Sequence, residues 1–503
     1  MYGVQCLAII HDPLNEAMSS STLTEQTLAR RKAALRFLVG RIDYERMLTM
    51  PCSEETMKLG RMRELLHRLG NPQEGMPILH VAGTKGKGST AAMLASLLSA
   101  AGYRTGLFSS PHLDHVEERM VINGLCCSDE ELADLVELIR PEVETLDRGA
   151  ARNGSAEHGP TYFEIITAMA LCHFARCRVG AAVLEVGLGG RLDSTNVCTP
   201  RVSIITSISL DHTKQLGETL AAIAAEKAGI IKPGVPVVSG VTAEEPRAVI
   251  RRIAHEKGCR LVELGRDFDF DDHPPLHLER APAPAHFDFR YAPRDTEQLS
   301  RDSRGLTAPG LFHFKNVALG LLGRHQAANA AVALAAVEEL RHTGWTIPED
   351  SIRRGLADVV WPARVEIVAR RPAVVLDAAH NAASVESLVE VLVESFSAKR
   401  RFLVFATTLD KDLRGMLRPL LDHFDHVIFT RYASNPRGVP PEQLQALAAE
   451  LQAAASVEIA STPVDAWDVV ARLAEPDDLI CVTGSFFLAA ELRRQIVARP
   501  LSR

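Results

Sequence analysis

The stretch His80-Val81-Ala82-Gly83-Thr84-Lys85-Gly86-Lys87-Gly88-Ser89-Thr90 decides how this chain folds. Before it, Pro77 to Ala82 reads as a short buried strand; after it, an Ala/Leu-rich run from Thr90 to Ala101 reads as a helix. Strand, glycine turn and helix make the βα unit of a parallel sheet. Glycines let the backbone wrap an anion, and the free N–H groups at the helix start point at it. Lys87 is placed to neutralise β/γ-phosphate charge, and Ser89 or Thr90 to meet phosphate or Mg²⁺. The strict Walker pattern is not met, because Gly88 separates the lysine from the hydroxyl and Val81 stands in the place of the first glycine. The loop still predicts a nucleoside triphosphate site.

Working outward, Ala181–Val186 and Val202–Ile208 read as further buried strands, with helical runs at 57–69, 163–176, 219–229 and 329–340. This alternation predicts an α/β domain with a parallel sheet. Residues 265–310, rich in Asp, Pro, Arg and His, read as an excursion from that sheet. Trp361-Pro362 marks a boundary, since the residue before proline is pushed out of helix. Beyond it, 373–376, 402–405, 426–429 and 479–482 read as the strands of a second, smaller α/β domain. The expected division is a flexible tail over 1–30, an ATP-binding domain over 31–361 and a Rossmann-like domain over 362–503. A second glycine run, Gly187-Leu188-Gly189-Gly190-Arg191-Leu192, starts like a dinucleotide fingerprint but places Leu192 at the third glycine, where close helix–strand packing is needed. Glu185, at the C-terminal end of its strand, is better placed as a metal-binding or catalytic carboxylate.

The whole chain has 503 residues, 46% of them hydrophobic and 24% charged, and a formal charge of −7. That composition excludes wholesale disorder and gives no electrostatic reason to expect a nucleic-acid or membrane partner. No apolar stretch is long enough to span a bilayer, and the first residues do not read as a secretory signal. Nine cysteines without a CxxC pair argue against a disulfide framework or a zinc ribbon and for reduced thiols in the cytoplasm. Only 11 of the 56 basic residues are lysine, yet Lys85, Lys87, Lys214, Lys227 and Lys232 fall in two short motifs. Lysine offers a compact ammonium and, once deprotonated, a nucleophilic amine; arginine offers neither.

Eight segments in order resemble the folylpolyglutamate synthase/dihydrofolate synthase family of the Mur ligase superfamily. They are HVAGTKGKGST (80–90), SSPHL (109–113), TYFE (161–164), LEVGLGGRLDSTN (184–196), SLDHTKQLGETLAAIAAEKAGIIKPG (209–234), GRHQAANAA (323–331), WPARVE (361–366) and DAAHN (377–381). A weaker echo is TGSFFLAAELR (483–493). The resemblance implies an ATP- and Mg²⁺-dependent ligase with two metal sites; a monomer is the default expectation, since no exposed apolar stripe can be read from the sequence. In such an enzyme a substrate carboxylate is phosphorylated and the amine of L-glutamate attacks the acyl phosphate. It implies that Gly83, Thr84, Lys85, Gly86, Lys87, Gly88, Ser89 and Thr90 hold the nucleotide, together with Asn329, Arg364 and Asp377. Ser110 and Glu185 are then expected to bind one Mg²⁺, and His212 a second. Lys227 is expected beside it as a carbamate, the oxygen ligand a hard cation prefers. His380, with Asn381, is expected to support ATP or the intermediate. The pteroate moiety is expected near Thr56, Met57, Lys58 and Leu59, near Thr161, Tyr162 and Phe163, and near Leu192 and Asp193. Two departures stand out: MKLGRMREL replaces a KLGLERM-like run, and Thr84-Lys85 replaces the commoner Thr-Asn. Alternatives are a Mur-type ligase acting on a cell-wall precursor, disfavoured because only about 50 residues precede the region of resemblance, which begins near residue 56, and a non-catalytic nucleotide switch, which would need neither His212 nor Lys227.

Overall fold

A computed structural model describes residues 25–45, 59–152, 159–293 and 312–498. Its largest sheet has eight strands: β1 (Ile78–Ala82), β2 (Thr105–Phe108), β3 (Met120–Ile122), β4 (Leu125–Cys126), β5 (Ala181–Glu185), β6 (Val202–Ile205), β7 (Val237–Ser239) and β8 (Leu261–Glu263). Their spatial order is β4-β3-β2-β5-β1-β6-β7-β8, parallel from β2 to β8, with β3 and β4 added antiparallel. The chain leaves β1 over β5 to reach β2, then returns from β5 over β1 to β6. Such a reversal opens a crevice at the strands' C-terminal ends.

The strands are apolar on both sides because helices cover both faces. Leu79, Val81 and Val183 belong to the core shared with the helices Lys87–Ala100 and Arg324–His342. Ile78, Ala182 and Leu184 point the other way, into the core with the helices Leu59–Arg68 and Tyr162–Arg176. His80, on that second side, is buried and within 2.8 Å of Thr195 Oγ1, and burial lowers its pKa to about 3.

The excursion is a three-stranded antiparallel sheet of β9 (Phe268–His273), β10 (Ala285–Tyr291) and β11 (Phe312–Leu319). Its alternating burial matches a sheet with one wet face. Tyr291 Oη donates to Glu339 Oε1 at 2.6 Å, tying this sheet to the helix Arg324–His342. Residues 294–311, within or next to the same stretch, lie outside the described residues. The third sheet holds β12 (Glu366–Arg370), β13 (Ala373–Leu376), β14 (Arg401–Phe405), β15 (His426–Phe429), β16 (Ser456–Ile459) and β17 (Leu479–Thr483), ordered β12-β13-β17-β14-β15-β16. It is parallel apart from β12.

Two readings of the sequence need correction. Residues 25–30, taken as part of a tail, begin the helix Glu25–Val39, and Arg30 pairs with Asp134 and Glu137; residues 1–24 lie outside the described residues. The helix after the glycine loop starts at Lys87, three residues before the expected Thr90. Gly86 adopts φ +79, and this left-handed turn lets the helix begin inside the loop.

Candidate active site

The C-terminal strand edges of the eight- and six-stranded sheets face one cavity of about 1330 Å³. On one side the glycine loop leaves β1, and Glu185 sits opposite Val81 in the parallel register, two residues from Gly83. On the other side Asp377 directly follows β13, its N–H donating to Val482 O at 3.0 Å. Thr84, Lys85, Gly86, Lys87, Gly88, Ser89, Ser110, Glu185, His212, Lys227, Asn329, Arg364, Asp377 and His380 all line this cavity.

The loop is strapped in place by the segment after β6. Thr84 N donates to Ser207 O at 2.7 Å, Lys85 N to Ser207 Oγ at 3.1 Å, and Thr206 Oγ1 to Lys85 O at 2.5 Å. Gly86 has no room for a side chain, since a Cβ there would enter the Asn329 carboxamide. Gly83 and Thr90 do not line the cavity. The Gly83 carbonyl accepts from Lys227 Nζ at 2.9 Å, while Thr90 is buried in the helix with Oγ1 lacking a partner among the described residues.

The charged groups respond to burial in different directions. Lys227 is 4% exposed; burial, reinforced by Lys87, lowers its amine to about 7. Burial pushes the Glu185 carboxyl up, with Lys87 and the Ser110 N–H, 3.1 Å from Oε2, pulling it back. Asp377 is likewise raised by burial against Arg364, although its two oxygens accept from Val365 N at 2.8 Å and Ala379 N at 2.7 Å. Burial also works to raise Asp211, but Lys411, 3.4 Å away, with His212 and His380, outweighs it and holds that carboxyl at about 2. His212, in a left-handed conformation at φ +50, is lowered by desolvation against the pull of Asp211. His380 is lowered to about 4 by desolvation and then Lys411. Its Nδ1 lies 2.9 Å from Ala378 O, so this nitrogen carries the proton and Nε2 is left as an acceptor.

Arg364 is aimed by a bent connection. Ala363 and Val365 on either side of it have φ of +54 and +48, a conformation costly for a β-branched residue. Asp377 Oδ2 holds the Val365 N–H, and Glu366 Oε2 holds the Ala363 N–H at 2.9 Å. Arg493 in turn grips Glu366 through Nε and Nη2. Trp361 lies over Gly88, 3.2 Å from where a Cβ would stand.

Leu59, Thr161, Tyr162, Phe163, Leu192 and Asp193 line another part of the cavity; Thr56, Met57 and Lys58 lie outside the described residues. Thr161 caps the helix Tyr162–Arg176, with Oγ1 accepting from Glu164 N at 3.3 Å. Asp193 accepts from Leu188 N at 2.9 Å and Thr195 N at 3.0 Å. Asn381 caps the helix Ala382–Ser395. These three side chains shape the wall more than they offer free groups. The second glycine run opens no α-helix: a short 3₁₀ turn at Ser194–Val197 follows, and Gly190 passes so near the helix Leu220–Ala228 that a Cβ would stand 2.9 Å from Glu226 O.

Sequence reasoning missed Lys411, His325 and the Thr206–Ser207 strap, all on the cavity wall. Scarcity of lysine was the available signal. Lys85, Lys87, Lys214, Lys227 and Lys411 line the cavity, whereas Lys232 lies elsewhere and donates to Asn196 O at 3.3 Å.

Comparison with known proteins follows the same outline. Residues 81–337 match the Mur ligase middle domain and residues 363–486 the Mur ligase glutamate ligase domain. A Bacillus subtilis dihydrofolate synthase/folylpolyglutamate synthase is 36% identical over 444 residues, covering 87% of this chain and 94% of the relative. The Mycobacterium tuberculosis folylpolyglutamate synthase complexed with ADP and AMPPCP superposes with a TM-score of 0.80 at 31% identity, over 94% of this chain and 99% of that one. Escherichia coli FolC in complex with DHPP and ADP gives 0.73 at 31% identity, over 93% and 98%.

Gly86→Ala tests the loop geometry. The left-handed backbone costs an alanine about 1–2 kcal/mol, and its Cβ meets Asn329. Calorimetric titration with a non-hydrolysable ATP analogue should show affinity falling about tenfold or more; wild-type affinity would contradict the reading of this turn.

Proposed function

The chain belongs to the Mur ligase family, in its dihydrofolate synthase/folylpolyglutamate synthase branch, and we propose how its cavity performs that ligation. It is an ATP-dependent ligase that joins L-glutamate to dihydropteroate, to the glutamate tail of reduced folates, or to both, through an acyl phosphate. The observation that carries the residue assignments is the meeting of Lys87, Glu185, His212 and Lys227 with Arg364, Asp377 and His380 in one cavity.

Lys87 and the amides of the loop hold the β- and γ-phosphates, and Asn329, Arg364 and Asp377 engage ATP, the last two from the side of the six-stranded sheet. The reaction brings a carboxylate and a triphosphate together, so cations must screen both anions. A divalent ion fits this wall, because Glu185 is a buried carboxylate whose desolvation outweighs the nearby cations. Ser110, Glu185, His212 and Lys227 would hold Mg²⁺, which supplies charge neutralisation at the phosphates. Lys227 has the chemistry for carbamylation: an amine lowered to about 7 is substantially neutral at physiological pH and open to CO₂. The pteroate moiety packs against Leu59, Tyr162, Phe163 and Leu192, while Thr161 and Asp193 position that wall. His380, neutral and with Nε2 free to accept, supports the intermediate while the glutamate amine attacks.

The proposed organisation is an ATP-binding domain over 31–361 and a glutamate-ligase domain over 362–503, in a cytoplasmic monomer acting on small molecules. The seven described cysteines are all free, which accords with a reducing compartment. No described helix is long and apolar enough to cross a membrane. The folate names of the relatives favour this reading over a cell-wall ligase or a nucleotide switch.

Two measurements test it. Phosphate release from Mg·ATP should require both L-glutamate and a pteroate acceptor. Dihydropteroate alone as acceptor would mark a dihydrofolate synthase, and turnover with tetrahydrofolate as well would mark a bifunctional enzyme; release indifferent to both substrates would defeat the proposal. Lys227→Arg cannot form a carbamate and should lower kcat by roughly 100-fold or more, with ATP affinity retained. Full activity in that variant would remove the carbamate.

A further inference from the structure

A second group of metal-ligating side chains lies outside the large cavity, where β4 runs into the helix Asp129–Arg152. Cys127 Sγ, a Glu131 carboxylate oxygen and a His173 ring nitrogen all lie within 4.8 Å of one another. None of the three lines the ATP cavity. They come from three places: the residue after β4, the first turn of the helix Asp129–Arg152, and the last turn of the helix Tyr162–Arg176. A smaller cavity of about 240 Å³ adjoins them, with Glu131, His173, Asp134 and Arg176 in its wall.

We infer that Cys127, Glu131 and His173 bind a soft divalent cation, Zn²⁺ by preference, with water as the fourth ligand. A thiolate with an imidazole selects zinc over magnesium, which takes oxygen ligands. Zinc bonds of about 2.0–2.3 Å put tetrahedral ligands roughly 3.5 Å apart, so the trio closes by about an ångström on binding. One thiolate and one carboxylate neutralise the ion, so no net charge is buried.

Each ligand is already held. Cys127 N donates to Met120 O at 2.9 Å. Glu131 forms a capping box with Ser128, its Oε2 accepting from Ser128 N at 2.8 Å and its own N–H donating to Ser128 Oγ at 3.2 Å. His173 Nδ1 lies 3.9 Å from Cys177 Sγ one helical turn on, a weak contact that limits the turn of the ring. Capping accounts for Glu131 alone; it does not bring a buried thiol and a buried imidazole to the same carboxylate. Glu131 is exposed, which gives an ion its way in. Bound there, the ion clamps the helix Asp129–Arg152 to the helix whose first turn carries Tyr162 and Phe163 into the ATP cavity.

The test uses the full chain, reduced and stripped of metal, titrated with Co²⁺ in excess Mg²⁺. The oxygen and nitrogen ligands of the ATP cavity give no thiolate-to-cobalt absorption, so the near-ultraviolet band reports cysteine ligation, and its loss on changing Cys127 assigns it to this site rather than to Cys177 beside His173 or Cys198 beside His80. One Co²⁺ per chain should bind with the band and be displaced by Zn²⁺. Glu131→Gln keeps the capping box, where Gln serves as Glu does, and should weaken Co²⁺ binding more than about tenfold. Cys127→Ser should abolish the band. Co²⁺ binding without it, a full band in Cys127→Ser, or unchanged affinity in folded Glu131→Gln would each overturn the assignment.

Discussion

The constraint on which this cavity depends is the concentration of charge away from water. Lys227 reaches 2.9 Å to the Gly83 carbonyl from a nearly sealed position, with Lys87 close enough to depress its amine further. Glu185 and Asp377 are buried carboxylates pushed upward by the same desolvation. Buried charges that are not fully paired shift toward their neutral forms. The protein therefore holds its cations and anions ready for a ligand that brings opposite charge. A triphosphate, with the divalent ions proposed for this wall, would complete the electrostatics that the side chains leave open.

Geometry delivers those charges by one repeated device. Parallel strands end together, and their C-terminal edges present loops and helix starts to a common space. The eight-stranded sheet contributes the glycine loop and Glu185; the six-stranded sheet contributes Asp377, Ala379 and His380. Between them the chain passes Trp361 and the left-handed pair Ala363 and Val365, which flank Arg364. The carboxylate of Asp377 holds that bend together through the Val365 N–H. The Asp211–Lys411 contact, at 3.4 Å, spans the same gap. Backbone strain at Val365 and a cross-gap ion pair serve one end: they set the position of one wall against the other.

Much of this was legible in the residues, for identifiable reasons. Short apolar runs such as 373–376 and 426–429 gave their strands because parallel strands are buried on both faces, so no alternation blurs them. The helix start at Lys87 was misplaced because it turns on the left-handed conformation of Gly86, which composition does not reveal. The antiparallel sheet β9–β11 showed only as irregular alternation. Lys411 went unread because its importance lies in a neighbour 200 residues away. Thr161 and Asp193 illustrate a different limit: a motif marks a residue as needed without saying that its side chain holds a loop. The cluster of Cys127, Glu131 and His173 was hidden for a related reason, since its members are scattered along the chain and meet only through two helices.

The central claim is that the acceptor's carboxylate is phosphorylated in this cavity before the glutamate amine arrives. Labelling that carboxylate with ¹⁸O and analysing the released phosphate by mass spectrometry tests it most directly. Transfer of one ¹⁸O to phosphate per amide formed is the predicted result, because the acyl phosphate keeps one labelled oxygen in the bridge that leaves with phosphorus. Unlabelled phosphate from a productive turnover would contradict the account.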